Sequence, residues 1–349
     1  HHKNEVSKYN NFQMARKIQL NSLYGALANQ YFRFYDDRIA EGITMSGQLV
    51  IRDTAKALDA YMNKVCGTDD KVYSFYSDTD SCYVTCKNMV ENFFPDKDTD
   101  KITELLDKIG TDKIEPAIDN AMVNLANYTN AFEKKIFFKR EVIADKGVFV
   151  AKKRYALNVL DDEGLRLKDP KLKVMGLEIV RSSTPGPVRE SLKEAVRLVL
   201  TSGEEELHNY IEKTKAEFKS MAPEEIAFPR GCNNLQKYYS SADVYTKGTP
   251  IHVRGSLLYN NLIKKNNLFV KYEQIQEGDK IKFLYLKEPN TIGENTIAFV
   301  TKLPKEFNIH PYVDYDTIFD KAFIEPLKNI LNPIGWNTEP QATLEDLFA

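Results

Sequence analysis

The stretch Tyr76-Ser77-Asp78-Thr79-Asp80-Ser81 constrains this 349-residue chain more than any other. Lys71-Val72-Tyr73-Ser74-Phe75 precedes it, and Cys82-Tyr83-Val84-Thr85 follows it. Both flanks are rich in β-branched and aromatic residues, which predicts two strands joined by a tight turn. Residues two apart in extended chain face the same side, so Asp78 and Asp80 bring two carboxylates together at the hairpin tip. Two such charges repel and resist desolvation. A hard cation such as Mg²⁺, which prefers oxygen ligands, relieves both problems. The residues alone leave a second reading open, a solvated turn, because Asp, Ser and Thr are ordinary turn residues.

The length exceeds what one small core serves and predicts two or more domains. No run is apolar enough, for long enough, to span a membrane, and no signal-peptide pattern is seen. His1-His2 reads as a tag remnant. A net charge of −2 neither supports nor excludes nucleic-acid binding. Local basic clusters weigh more: Lys134-Lys135, Lys139-Arg140, Lys152-Lys153-Arg154 and Lys264-Lys265. Cys66, Cys82, Cys86 and Cys232 form no C-x-x-C pair, and Cys82 and Cys86 are too far apart along a strand for an easy disulfide. Free thiols buried as small apolar residues are expected.

Apolar periodicity predicts helices over about 6–29, with Met14, Ile18, Leu20, Leu23 and Leu27 as a stripe, and over about 39–65, stopped by Gly67. Further helices are predicted over 102–109 and 114–132, with a loop over 92–100. Strands are predicted over 135–142, 148–159 and 171–175 around loops such as Asp161-Asp162-Glu163-Gly164. Ser182-Ser183-Thr184-Pro185-Gly186-Pro187 marks a composition break. Beyond it come two charged amphipathic helices near 188–202 and 204–221, strands over 280–286 and 297–300, and a helix near 317–330. No internal repeat is present.

Within the first helix, Lys17, Asn21 and Tyr24 stand at i, i+4 and i+7 and share a face. A cation and an amide there suit a triphosphate, a tyrosine suits a base or sugar, and Gly25 leaves room for close approach. A solvated polar stripe with a buried tyrosine is the alternative. K-x-x-x-N-S-x-Y-G followed downstream by Y-x-D-T-D-S resembles two motifs of the family-B DNA polymerases. Ala151-Lys152-Lys153-Arg154-Tyr155-Ala156 is similar to the K-K-R-Y segment with which that family meets the primer end of the duplex. Leu172-Lys173-Val174-Met175-Gly176-Leu177-Glu178 and Arg181-Ser182-Ser183-Thr184-Pro185 add to the likeness, which points to the C-terminal part of the replicative polymerases of T-even-like phages.

The resemblance implies an α+β chain of right-hand architecture: an end-of-fingers helix over 1–28, a palm with an antiparallel sheet flanked by helices over 29–176, a mixed, mainly helical thumb over 177–340, and a clamp-binding tail over 341–349. It implies that Lys17 and Asn21 hold the phosphates of an incoming dNTP and that Tyr24 lies near the nascent base pair. Asp80, with Asp78 beside it, would ligate catalytic Mg²⁺, and Lys152, Lys153, Arg154 and Tyr155 would meet or shape the surface for primer-template DNA. Ser77 stands where the family usually has glycine, with a minor effect expected. Leu344, Leu347 and Phe348, at i, i+3 and i+4, would present one apolar face to a sliding clamp.

The family's D-x-x-S-L-Y-P-S strand, bearing a further palm aspartate, has no match, nor has a fingers arginine, and no exonuclease-like D-x-E constellation is evident, since Asp161-Asp162-Glu163 lies in a predicted loop after the K-K-R-Y strand. The resemblance therefore implies a partner: an N-terminal polymerase chain, or the rest of a longer polypeptide, acting in the cytoplasm of a phage's host. The competing expectation is a non-catalytic DNA-binding or clamp-tethering subunit. Basic residues such as Lys193, Arg197, Lys213, Lys264 and Lys265 are as consistent with solvated helix faces as with phosphate contacts.

Overall fold

A computed structural model describes residues 2–340, with side chains from residue 4 onward. The fold is α+β, and the chain divides into two compact units, residues 1–143 and 144–349. The clamp-binding expectation at Leu344, Leu347 and Phe348 lies outside the described residues.

The first unit opens with α1 (His2–Leu27) and α2 (Asp37–Cys66). The predicted stripe on α1 is exposed: Met14, Ile18, Leu20 and Leu23 are each more than half accessible. Helix α2 behaves differently. It buries Thr54, Leu58, Met62 and Cys66, a strict four-residue repeat, and stops where Gly67 adopts φ 64°. The hairpin strands β1 (Ser74–Asp78) and β2 (Ser81–Val84) follow. Next come α3 (Lys87–Phe93) and α4 (Thr99–Ile109), a π-helical turn over Gly110–Ile114, and α5 (Glu115–Tyr128). The expected loop over 92–100 thus begins only after α3. Two small cores serve this unit. Leu58 packs with Ile118, Met122 and Leu125 of α5, and Met62 and Cys66 pack with Tyr73 and Met89.

The strand expected over 135–142 begins only at Val142, in β3 (Val142–Ala151). Just ahead of it, side chains take over what a strand neighbour would do. The Arg140 backbone N–H donates to Glu115 Oε1 at 2.9 Å, and the Arg140 guanidinium holds Asp107 at 2.5 Å.

The second unit continues with β4 (Arg154–Asp162) and β5 (Leu165–Met175), giving an antiparallel three-stranded sheet in the order β3-β4-β5. One strand was expected over 148–159; two form, because the chain reverses at Lys152-Lys153, where Lys153 takes φ 61°. After a 3-10 turn at Glu178–Val180 come α6 (Gly186–Thr201) and α7 (Glu204–Phe218), as the amphipathic pattern predicts. Short elements follow: α8 (Pro223–Ile226), β6 (Phe228–Gly231), α9 (Leu235–Tyr238), β7 (Tyr239–Ser240) and β8 (Val244–Tyr245). Then come α10 (Ile251–Lys265), β9 (Lys280–Tyr285), β10 (Thr296–Phe299), α11 (Tyr315–Phe319) and α12 (Glu325–Leu331). Helix α10 was not expected. It lies against β10 so closely that a Cβ on Gly255 would stand 2.9 Å from the Ala298 nitrogen. One large core joins α6, α10, β9, β10 and α12 through residues such as Leu192, Val253, Phe283, Ile297 and Leu327.

Candidate active site

The two aspartates stand where the sequence put them, on a hairpin tip. The register pairs Tyr76 with Tyr83, Ser77 with Cys82 and Asp78 with Ser81, leaving Thr79-Asp80 as a two-residue turn. Thr79 takes φ 57°, a conformation that strains a β-branched residue. Local bonds hold it: Thr79 Oγ1 donates to Asp78 Oδ1 at 3.1 Å, the Asp80 N–H to the Asp78 carbonyl at 2.7 Å, and Ser81 Oγ to that carbonyl at 3.2 Å. Asp78 is half-buried and Asp80 exposed. Because Asp80 lies in the turn, strand alternation does not set its direction as the sequence argument assumed.

The faces of the hairpin follow from its register. Residues directly opposite in an antiparallel pair share a face. Cys82 and Val84 pack against the α2–α5 core, so Ser77 and Ser74, their partners, lie on the helix side. Cys82 is half-buried there and burial pushes its thiol up, which makes it a packing group and not a nucleophile. Tyr76, Tyr83, Asp78 and Ser81 occupy the opposite face, where the two tyrosine rings meet edge to face at 5.6 Å. Ser77, in the position where glycine was expected, pairs regularly and reaches Cys82 Sγ at 3.4 Å.

Helix α2 holds the base of the hairpin through two polar residues one turn apart. Asn63 Oδ1 accepts from the Lys71 N–H at 3.0 Å and from Thr68 Oγ1 at 2.7 Å, and its amide donates to the Lys71 carbonyl at 2.8 Å. Asp59 accepts from the backbone N–H groups of Tyr73 and Ser74 and from Ser74 Oγ, at 2.9, 2.7 and 2.9 Å. Sequence reasoning did not find Asp59 or Asn63. Their one signal was an i, i+4 pair of polar residues in the last turns of the helix before the hairpin.

Lys17, Asn21 and Tyr24 all lie on α1, exposed, with Tyr24 42% accessible. The tyrosine expected to be buried under a solvated stripe is therefore available. The helix and the hairpin contribute their groups from separate elements of the first unit.

In the second unit, Lys152 and Lys153 form the exposed β3–β4 turn. Arg154 and Tyr155 support it from below. Arg154 Nη2 donates to both carboxylate oxygens of Glu178, at 2.8 and 2.7 Å. Tyr155 is 4% exposed and stacks on Phe149 at 5.2 Å. Gly176 takes φ 63°, and a Cβ there would stand 1.9 Å from the Lys153 carbonyl oxygen. Two stretches that looked separate in sequence, the K-K-R-Y segment and Met175-Gly176-Leu177-Glu178, are thus one structural piece.

Asp78 and Asp80 are all-oxygen donors on one strained turn, and in kind they suit Mg²⁺. In number they make only part of a site: among the described residues, no group of three or more His, Cys, Asp or Glu is placed to hold a metal ion.

The sequence has relatives among known DNA polymerases. Residues 1–94 match DNA polymerase family B. The chain is 38% identical to a DNA-directed DNA polymerase of Escherichia phage RB69, over 96% of this chain and 38% of that protein. It is likewise 38% identical to the DNA-directed DNA polymerase of Enterobacteria phage T4, over 97% of this chain and 39% of that protein. A DNA polymerase of Methanocaldococcus jannaschii is 25% identical over 95% of the chain and 17% of its own length. The chain therefore spans about two fifths of the length of the phage relatives. In sequence it is a relative of the family-B DNA polymerases and resembles those of T-even-like phages.

Proposed function

We propose that this chain is the C-terminal part of a DNA-directed DNA polymerase, in which template-directed transfer of a nucleotide to a primer 3′-hydroxyl takes place at the Asp78-Thr79-Asp80 tip. The observation that carries this reading is the tip itself: two carboxylates on a strained two-residue turn, pinned from its base to α2. Asp80 and Asp78 would hold the metal. When bound, two Mg²⁺ ions supply activation of the primer hydroxyl and charge stabilisation for the departing pyrophosphate. Lys17 and Asn21 would bind the triphosphate of the dNTP, and Tyr24 would pack at the nascent base pair. Lys152 and Lys153 would meet duplex phosphates or the groove edge, on a turn that Arg154 and Tyr155 keep in shape. In this reading residues 29–176 are palm and 177–340 thumb, and Leu344, Leu347 and Phe348 dock on a sliding clamp in the cytoplasm of an infected host. No helix among the described residues is long and apolar enough to cross a membrane.

The reading includes a partner, either a second chain or the remainder of a longer one, that brings the missing carboxylate and the rest of the fingers. Two features support this. The apolar residues of α1 are uncovered along most of its length, whereas helices in folded proteins owe most of their stability to a packed apolar face. Among the described residues the β1–β2 sheet has two strands and packs by one face on α2 and α5, and the D-x-x-S-L-Y-P-S strand expected of the palm is not in the sequence. The test is primer extension by this chain with and without the companion polypeptide, then with Asp80→Asn. Extension by the pair that stops on Asp80→Asn is the expected result. Extension that survives it removes the metal-ligand role, and a pair that binds primer-template without extending it favours the non-catalytic alternative.

A further inference from the structure

The geometry points to Asp59 of α2 as a positioning residue for the Asp78/Asp80 tip, an inference that rests on the polymerase reading above. Strand β1 carries a bulge between Ser74 and Tyr76. Ser74 faces the helices with its partner Val84, whereas the register puts Tyr76 and Asp78 on the face of Tyr83 and Ser81. In a regular strand 74, 76 and 78 would share one face, and a slip of one residue moves every following side chain to the other. The bulge therefore decides which way Asp78 points, and it must be held in register. The Asp59 carboxylate does this. It takes both N–H groups at the residues just before the bulge, Tyr73 and Ser74, together with the Ser74 hydroxyl. On the far side of the bulge the ladder resumes at Tyr76–Tyr83. The Tyr73 carbonyl completes the clamp by accepting the N–H groups of Phe75 and Thr85, each at 3.0 Å, so the bulge is closed onto the partner strand. A bulge placed beside a functional group to re-aim it is a recognised use of that distortion.

Ser74, which Asp59 holds, is four strand residues from Asp78, about 13 Å at the usual rise, so Asp59 grips the strand well back from the tip that would carry the metal. Its part is to fix the register of the strand that carries Asp78. Asn63, one turn further along α2, supplies the internal control. It closes the Thr68–Lys71 turn upstream, and its hydrogen bonds among the described residues go to that turn and to its own helix, not to β1.

The test compares Asp59→Ala, Asp59→Asn, Ser74→Ala and Asn63→Ala in the polymerase assembled with its companion polypeptide and primer-template. Mn²⁺ affinity, read by water-proton relaxation, is measured beside single-nucleotide extension, thermal stability and amide exchange at Tyr73 and Ser74. Asp59→Ala is expected to lower kcat about tenfold or more, with dNTP KM unchanged, because small misplacements of reacting groups carry costs of that order. It should weaken Mn²⁺ binding severalfold and speed exchange at the two amides. Asp59→Asn, which keeps one acceptor, and Ser74→Ala, which removes one of three bonds, should fall between it and the unsubstituted protein and serve if Asp59→Ala does not fold. Asn63→Ala should lower thermal stability and leave kcat and Mn²⁺ affinity in place. Equal effects of Asp59→Asn and Asn63→Ala on stability alone, with Mn²⁺ affinity unmoved, overturn the inference. Asp80→Asn separates the two levels: if it leaves extension intact the polymerase reading fails, whereas if it abolishes extension and the Asp59 and Ser74 variants change nothing, only the positioning role fails.

Discussion

Arg154 lays one guanidinium nitrogen between the two carboxylate oxygens of Glu178, at 2.8 and 2.7 Å, and so ties the base of the Lys152-Lys153 turn to the segment that leaves β5. Arg181 adds a second cation to the same carboxylate at 3.5 Å. Both Arg154 and Glu178 are about three-quarters covered, and Arg154 Nε is buried with no hydrogen-bond partner. The pair is thus already short of one bond, and losing Glu178 leaves a largely covered cation uncompensated. Glu178→Gln should cost about 1–2 kcal/mol of stability, the range for hydrogen bonds to a charged group after allowing for partial exposure. Urea denaturation measures it, and Arg154→Met combined with Glu178→Gln should cost less than the two single changes added.

The glycine beside this pair carries a steeper penalty. Gly176 and Gly67 both lie near φ 63°, so alanine at either meets the left-handed cost of about 1–2 kcal/mol. They differ in surroundings. Nothing stands within 4 Å of a Cβ on Gly67, whereas a Cβ on Gly176 would fall 1.9 Å from the Lys153 carbonyl, an impossible distance. Gly67→Ala should therefore lose only that backbone cost. Gly176→Ala should lose clearly more and displace the lysine turn. Parallel denaturation curves rank the two, and equal losses would show that the turn yields freely.

Much of this was legible in the sequence because the signals are local. The Asp78-Thr79-Asp80 hairpin, the four-residue repeat of α2 with its Gly67 stop, and α6 and α7 each declare themselves within a dozen residues. What escaped depends on partners distant in the chain. Asp59 finds Ser74 fifteen residues on, and Arg154 finds Glu178 twenty-four residues on. Helix α10 was missed because Gly255 and the adjacent Asn260-Asn261 dilute its pattern, and the glycine is there to admit β10. The Val148–Val159 run read as one strand because Lys152-Lys153 lacks the Gly or Asn that usually marks a hairpin turn. On α1 the pattern correctly gave a helix, but among the described residues its apolar side chains stay exposed.

If Lys152 and Lys153 meet DNA as proposed, they do so as charges on an exposed turn. Each phosphate neutralised by a lysine adds about 0.9 to the slope of log affinity against log salt on duplex DNA. The double change Lys152→Ala, Lys153→Ala should therefore lower primer-template affinity and flatten that slope by about 1–2, similarly for unrelated duplex sequences. Fluorescence anisotropy at several salt concentrations measures it. An unchanged slope would place the contact elsewhere.

His252 gives the second unit a pH dependence whose sign can be worked out. Its ring packs beside Phe283 at the start of α10, with centroids 6.2 Å apart. Burial, and after it the nearby Arg230 charge, disfavours the imidazolium and lowers the histidine below its ordinary range. In the unfolded chain the same ring titrates near the usual value of about 6.5. At pH 8 it is neutral in both states and contributes no slope. As pH falls through about 6.5 the unfolded chain takes up a proton that the folded chain still refuses, so stability declines. The decline levels off once the pH passes below the folded value. Urea midpoints between pH 8 and pH 5.5 should therefore fall toward the acid side, above the range in which carboxylates begin to titrate. His252→Gln removes the ionisable ring and should flatten this part of the curve while leaving the midpoint at pH 8 little changed. A His252→Gln protein that keeps the full acid slope would assign it to another group. A slope of the opposite sign in the unsubstituted protein would mean that the ring gains a partner for its charged form.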